Sequence, residues 1–307
     1  MFFFPYRLDA SINNLPFLTV LICLLCCLVY WQQYSKDTAY FDQLEKFCLY
    51  QLSKRERSWL ERVHGDAPGH SCATMLESIR DAEDPEARIE ELVAGTKPIK
   101  LFTSKQANID YVEKKIRDIY KKFERDVPEN LTEDLAYNPK DLDVVKMVTS
   151  TFSHGDVFHL LGNLLFFYIF AAAVELVFGM LVYTGFIVVA TFATSLAYSY
   201  AMAGVENALP TVGLSGVVMA AVAALAIMMP AVKIRCFFWF FVFFKIIRIP
   251  ALFLAAWYIG WDIYGIYQAG EFSHINYVAH VSGAATGALF GLYYRFFRRE
   301  HLASLVV

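Results

Sequence analysis

The stretch PTVGLSGVVMAAVAALAIMM, residues 210–229, is apolar almost throughout and carries one serine, Ser215, between Gly213 and Gly216. An apolar run of about 20 residues has the length that an α-helix needs to cross a bilayer. Small residues let transmembrane helices pack closely, which is one explanation for this serine and its glycines. A nucleophilic hydroxyl is the other explanation, and the rest of the chain has to distinguish the two.

Similar apolar runs recur along the chain of 307 residues, of which 57% are hydrophobic and 16% aromatic, more than in ordinary soluble domains. The six predicted membrane spans are residues 15–31, 157–178, 180–203, 213–230, 250–268 and 278–296. The first is expected to be retained, because LVYWQQYSKD at 28–37 contains no small-residue cleavage site. The sequence therefore predicts an all-α membrane protein with six transmembrane helices.

The distribution of charge orients these spans. Residues 32–150 hold 19 of the 27 Lys and Arg residues and 23 of the 30 Asp and Glu residues, so this segment is expected to be in water. The other basic residues are Arg7, Lys233, Arg235, Lys245, Arg248, Arg295, Arg298 and Arg299. They lie at both termini and between the fourth and fifth spans, and the positive-inside rule places these three regions in the cytoplasm.

This topology divides the chain into four predicted parts. They are an N-terminal tail with the first span at 1–31, a mostly helical extracytoplasmic insertion at 32–145, the remaining spans at 146–296, and a cytoplasmic tail at 297–307. Within the insertion, Cys48 and Cys72 would pair in an oxidising space, and the sequence leaves that disulfide open. Residues 231–249 carry four cations among aromatics and are expected to lie in the cytoplasmic membrane interface.

Four polar side chains lie within the first two turns of the second, fourth and sixth spans. They are His159 and Asn163 in VFHLLGNLLFF, Ser215, and His280 in YVAHVSGAATGALFG. Polar groups inside spans are costly and tend to be functional, although any one alone is readily explained as an interhelical hydrogen bond. Because these three spans run in the same direction, the four side chains are expected to meet at one level below the outer surface. Gly283, Gly287 and Gly291 are interpreted as a helix-packing stripe.

The four polar residues have the chemistry that acyl transfer requires. A serine hydroxyl needs a base to take its proton, and His280 is the one histidine of the sixth span, so Ser215 and His280 form the predicted dyad. Asn163, His159 and the backbone N–H of Ser215 would donate hydrogen bonds to the oxyanion. Gly213, together with Gly216, would keep the serine approachable by a substrate backbone.

The sequence also predicts what the site lacks. Glu175 lies at the inner end of the second span and Asp262 belongs to the fifth, so the dyad is expected to have no acidic third member. His154 and His274 are expected to be exposed in outer loops. Neither an HExxH motif nor an intramembrane pair of aspartates occurs, and we expect no metal and no cofactor.

Three motifs carry a resemblance to a known family: HLLGN at 159–163, GLSG at 213–216 and AHVSG at 279–283. In this order, on alternate spans, they resemble the rhomboid intramembrane serine proteases over about residues 144–296, with residues 15–31 as the first of six helices. The resemblance implies a helical bundle around a water-filled cavity and cleavage of single-pass transmembrane proteins near their outer face. It implies Ser215 as nucleophile and His280 as base, with His159 and Asn163 supporting the oxyanion and Gly213 in the catalytic loop.

The chain departs from many relatives in two ways. Its first outer loop is much longer and contains no Trp-Arg dipeptide, and Met219 stands where relatives often place an aromatic residue against the catalytic histidine. The fifth span and residues 269–276 would correspond to the lateral gate and cap of the family.

Two other classes of function stay open beside the protease. A catalytically inactive rhomboid-like scaffold would bind client transmembrane helices, and a transporter would spread its ionisable residues along the spans. The expected partners are single-pass membrane proteins and the lipid bilayer, with no nucleic acid, and the expected location is a bacterial plasma membrane. The substrate and the oligomeric state are not predicted.

Overall fold

The computed structural model describes residues 2–8, 15–64, 70–82, 84–96, 104–205, 208–240, 243–268 and 275–298. The chain divides into two compact units, residues 1–33 with 132–307, here called the core unit, and residues 34–131, here called the inserted unit. Residues 299–307 of the predicted cytoplasmic tail and residues 269–274 of the predicted cap at 269–276, among them His274, lie outside the described residues.

The elements follow one another along both units as helices with three strands. In chain order they are β1 Phe2–Leu8, α1 Phe17–Lys46, α2 Lys54–His64, α3 His70–Arg80, α4 Pro85–Ala94, α5 Lys105–Asp126, α6 Leu131–Leu135, α7 Val144–Phe152, α8 Val157–Ala201, α9 Ser215–Met228, β2 Lys233–Phe240, β3 Phe243–Pro250, α10 Ala251–Gln268 and α11 Tyr277–Phe297. A π-helical turn, Phe47–Gln51, follows α1.

The predicted spans lie in α1, α8, α9, α10 and α11. The second and third spans both belong to α8, which bends at Gly179, where a φ of 73° is left-handed and suits glycine. The first span continues well beyond its predicted end, because α1 runs on to Lys46. Within the described residues, two helical stretches are long and apolar enough to cross a membrane, Phe17–Gln51 and Val157–Ala201.

Helix α9 is the centre of the core unit. Every residue from Gly216 to Leu225 is buried, because α8 and α11 pack against it. A Cβ atom at Gly283 would overlap the backbone carbonyl of Gly216, and one at Gly287 would overlap that of Ala220. The glycine stripe of α11 therefore lets the two helices approach to backbone contact, and its interpretation as a packing stripe is confirmed.

The prediction of an all-α fold is wrong for the two segments that form a sheet. Strands β1, β2 and β3 pair antiparallel in that order. In β2, Ile234 and Cys236 are buried while Lys233 is exposed and Arg235 is half-buried. This period of two, with aromatic and β-branched residues, is the strand pattern, and it was masked by the high overall apolarity of residues 231–249.

The inserted unit has its own apolar core. Its centre is formed by side chains of α1 to α5 and the π-helical turn, among them Phe47, Leu60, Leu76, Ile116 and Phe123, and a disulfide joins Cys48 to Cys72. The unit ends at Leu131 rather than at residue 145 as predicted. Residues 132–145 belong to the core unit, where Tyr137 and Thr211 exchange backbone hydrogen bonds of 3.0 and 2.9 Å.

Candidate active site

The predicted dyad residues are in contact. Ser215 is the first residue of α9, and His280 lies in the first turn of α11, whose start is capped by the Asn276 side chain accepting from Ala279 N at 2.9 Å. The His280 Nε2 atom is 2.8 Å from Ser215 Oγ, which is hydrogen-bond distance. The geometry allows the imidazole to accept the serine proton.

The other ring nitrogen of His280 faces a carboxylate, so the expectation that none lies near the dyad was wrong. Asp262 Oδ1 on α10 is 3.1 Å from His280 Nδ1, and the two side chains are only 13% and 17% exposed. The sequence contained a usable signal: consecutive spans are antiparallel, so the end of α10 lies level with the start of α11. The prediction of a dyad without an acidic member was based on Asp262 belonging to a different span, and it did not take this shared level into account.

The residues predicted to support an oxyanion adjoin one another at the loop that precedes Ser215. Gly213 has a φ of 125°, and a Cβ built there would be 2.8 Å from the His159 ring and 3.8 Å from Asn163 Nδ2. The Gly213 N–H donates to the Ser150 carbonyl at 2.8 Å, which holds the loop against α7. Only glycine fits both this conformation and this space.

Helix α8 presents His159 and Asn163 from its first two turns. Its start is capped by Asp156, whose Oδ1 accepts from Phe158 N and His159 N at 2.8 and 2.9 Å. Asn163 Nδ2 donates to the His159 carbonyl at 3.0 Å, which orients its side-chain amide. The predicted spacing of four residues thus places both side chains on the face of α8 toward Gly213.

These groups share one cavity of about 860 Å³. The polar side chains along it include those of Ser215, His280, Asp262, His159 and Asn163. Its mostly apolar wall is formed by side chains from three helices and two loops, Phe158, Phe166, Tyr198, Leu209, Val218, Met219, Tyr258 and Ile275. A cavity of this size and lining accommodates an apolar peptide segment next to a nucleophile and hydrogen-bond donors.

His154 is fully buried, which contradicts its predicted exposure. Its ring packs edge-on against the His159 ring at 5.2 Å, and its backbone exchanges two hydrogen bonds with the Gln33 side chain, at 3.2 and 3.3 Å. Burial, and next the nearby His159, lower the pKa of His154 to about 4. His154 is therefore neutral near pH 7 and supports the position of His159 by packing.

Comparison with known proteins bears on this site. The family model for the Rhomboid domain matches residues 141–296, just over half of the chain. No curated protein and no solved structure matches the chain. The matched range begins before α7 and ends within α11, so it includes the serine, both histidines of the cavity and Asp262. The resemblance of the three motifs is thereby confirmed, and the chain belongs to the rhomboid family of membrane-embedded proteins.

Proposed function

We propose that this protein is an intramembrane serine endopeptidase that cleaves single-pass transmembrane proteins near the extracytoplasmic face. The observation that carries the proposal is the 2.8 Å contact between Ser215 Oγ and His280 Nε2 inside a cavity that His159 and Asn163 also line. Members of the rhomboid family are generally serine intramembrane proteases, and inactive members exist. The intact pair of serine and histidine favours the active class.

The proposed reaction assigns one role to each group. His280 takes the proton of Ser215 as the oxygen attacks the peptide carbonyl, and the resulting oxyanion accepts hydrogen bonds from the His159 ring, the Asn163 amide and the Ser215 N–H. His280 then gives the proton to the leaving amine, which breaks the C–N bond and leaves an acyl-enzyme. Water, deprotonated by His280, hydrolyses the ester and restores the serine.

The proposed setting is a bilayer crossed six times, with both termini in the cytoplasm of a bacterial cell and the inserted unit outside. Two observations support this orientation. The basic residues of the core unit include Lys233, Arg235 and Arg248 of the sheet, as expected for a cytoplasmic side. The inserted unit carries the disulfide between Cys48 and Cys72, as expected for an oxidising space.

The test is covalent labelling of the purified full chain by a fluorophosphonate probe. The wild type should be labelled, and Ser215→Ala and His280→Ala should lose labelling by at least about 10³-fold, since each removes a member of a unit that works together. Ser282→Ala is the matched control, because this serine on α11 only donates to the Ala279 carbonyl. It should be labelled like the wild type.

Cleavage of a transmembrane peptide in detergent or proteoliposomes distinguishes the protease from the scaffold. If the folded wild type neither takes the probe nor cuts such a peptide, the protease proposal fails and an inactive family member that binds membrane helices replaces it. Cleavage that persists in Ser215→Ala would also contradict the proposed mechanism.

A further inference from the structure

We infer that Asp262 is the positioning residue of a Ser215–His280–Asp262 triad, a role that rests on the proposed function. The three groups form a chain in which Asp262 Oδ1 is 3.1 Å from Nδ1 of His280 and Nε2 is 2.8 Å from Ser215 Oγ. A carboxylate accepts hydrogen bonds and cannot donate one. The Nδ1 atom therefore carries the ring proton, and the lone pair of Nε2 faces the serine.

Burial makes this contact effective. The side chains of Asp262 and His280 are 13% and 17% exposed, so little water competes for either partner. When His280 takes the serine proton it becomes an imidazolium, and a mostly buried carboxylate in direct contact stabilises that cation more than an exposed one would. The contact thus acts through His280, since Asp262 does not contact the serine.

The other groups around His280 do not replace Asp262. His159 on α8 is a second imidazole across the cavity, and the Tyr277 ring on α11 is edge-on to His280 with centroids 6.4 Å apart. Among the described residues, the other carboxylate that lines the cavity is that of Asp156, whose Oδ1 atom caps α8.

The experiment measures probe labelling and peptide cleavage by the full chain with Asp262→Asn and Asp262→Glu. Asp262→Asn should slow labelling by about 10² to 10⁴-fold, because an amide that donates to Nδ1 selects the wrong tautomer. The loss should appear in kcat with KM nearly unchanged, and Asp262→Glu should recover part of it. Tyr264→Phe, at an exposed position of the same helix, is the control and should leave both rates unchanged.

A second measurement keeps this inference separate from the proposed function. ¹⁵N NMR of histidine-labelled full chain, assigned with His280→Gln, should show the proton of His280 on Nδ1 in the wild type and a changed tautomer population in Asp262→Asn. Unchanged labelling and an unchanged tautomer in Asp262→Asn would overturn the triad. An unlabelled wild type with the Nδ1 proton in place would overturn the protease and retain the Asp262–His280 pair.

Discussion

Gly213 shows how tightly single residues are constrained around Ser215. Its φ of 125° is one that side chains rarely adopt, and the space that a Cβ would take is filled by the His159 ring at 2.8 Å. The backbone of the loop and the imidazole are therefore placed by the same glycine. The residue that was predicted to lie in a catalytic loop thus also positions the imidazole that we propose as an oxyanion donor.

Gly213→Ala should impair the site more than the fold. The added methyl displaces the His159 ring, and a shift of about 1 Å at such a position costs about 10²-fold in rate. Labelling by the fluorophosphonate probe measures the loss. Gly260→Ala on α10, where a Cβ meets open space, is the matched control. Wild-type labelling of Gly213→Ala would show that His159 is not held by this contact.

His154 should make the core unit sensitive to acid. Its pKa is about 4 in the folded protein because of burial, against about 6.5 in an unfolded chain. The unfolded state therefore binds the proton more readily, and the stability contributed by the neutral ring is complete above about pH 6.5 and lost as the pH falls toward about 4.

The expected loss is about 3 kcal/mol over that range, from the difference between the two pKa values. Chemical unfolding at pH 7 and pH 4 of the wild type and His154→Gln measures it. The variant should lose less stability on acidification than the wild type, by about that amount. Identical pH dependence of both proteins would contradict the buried neutral state of His154.

At the scale of elements, the contact between α9 and α11 holds the dyad. Ser215 begins one helix and His280 lies near the start of the other, so their 2.8 Å separation depends on how closely the two helices approach. The glycine stripe sets that approach, because its members touch the backbone of α9. Packing residues from Gly283 to Gly291 thus determine the distance between the two residues proposed for catalysis.

Gly287→Ala should separate the two helices. The added Cβ would overlap the backbone carbonyl of Ala220, and overpacking of this kind costs about 1–3 kcal/mol. The midpoint temperature of thermal unfolding in detergent and the rate of probe labelling should both fall. Gly185→Ala on α8, where nothing lies within 4 Å, should retain or gain stability, since alanine favours helices. Equal stability of Gly287→Ala and the wild type would refute the close approach.

At the scale of the whole molecule, the two units have separate apolar cores. The apolar core of the inserted unit is closed by the disulfide between Cys48 and Cys72, which are 24 residues apart. The cavity and all residues proposed for catalysis belong to the core unit. Changes that weaken the inserted unit should therefore leave the chemistry of the serine intact.

Replacing both cysteines by serine should destabilise the inserted unit by about 3 kcal/mol, because the unfolded segment gains conformational freedom. Calorimetry of the full chain, with and without a reductant, measures the shift in the unfolding temperature of the inserted unit. The rate of probe labelling should equal that of the wild type. A parallel loss of labelling would show that the two units are energetically coupled.

The sequence alone determined the family, and it predicted a Ser215–His280 dyad and the meeting of the polar residues of three spans. These follow from short-range properties: apolar length predicts spans, alternate spans share a direction, and motif spacing within one helix places His159 and Asn163 on one face. Strand β2 was also readable from the alternation along Lys233–Phe240, but the apolarity of the run concealed it. The end of the inserted unit at Leu131 could not be predicted from the sequence, because it depends on the tertiary contacts that residues 132–145 make within the core unit.

Only the tertiary structure decided that Asp262 joins His280 and that His154 is buried. Which side chains meet between helices depends on the rotation of each helix about its axis. In a soluble protein an amphipathic stripe reveals that rotation, but α10 is mostly apolar, with Asp262 as its one charged residue, and carries no such stripe. The sequence therefore names the residues proposed to react, and the packing of α9, α10 and α11 brings Asp262 to His280.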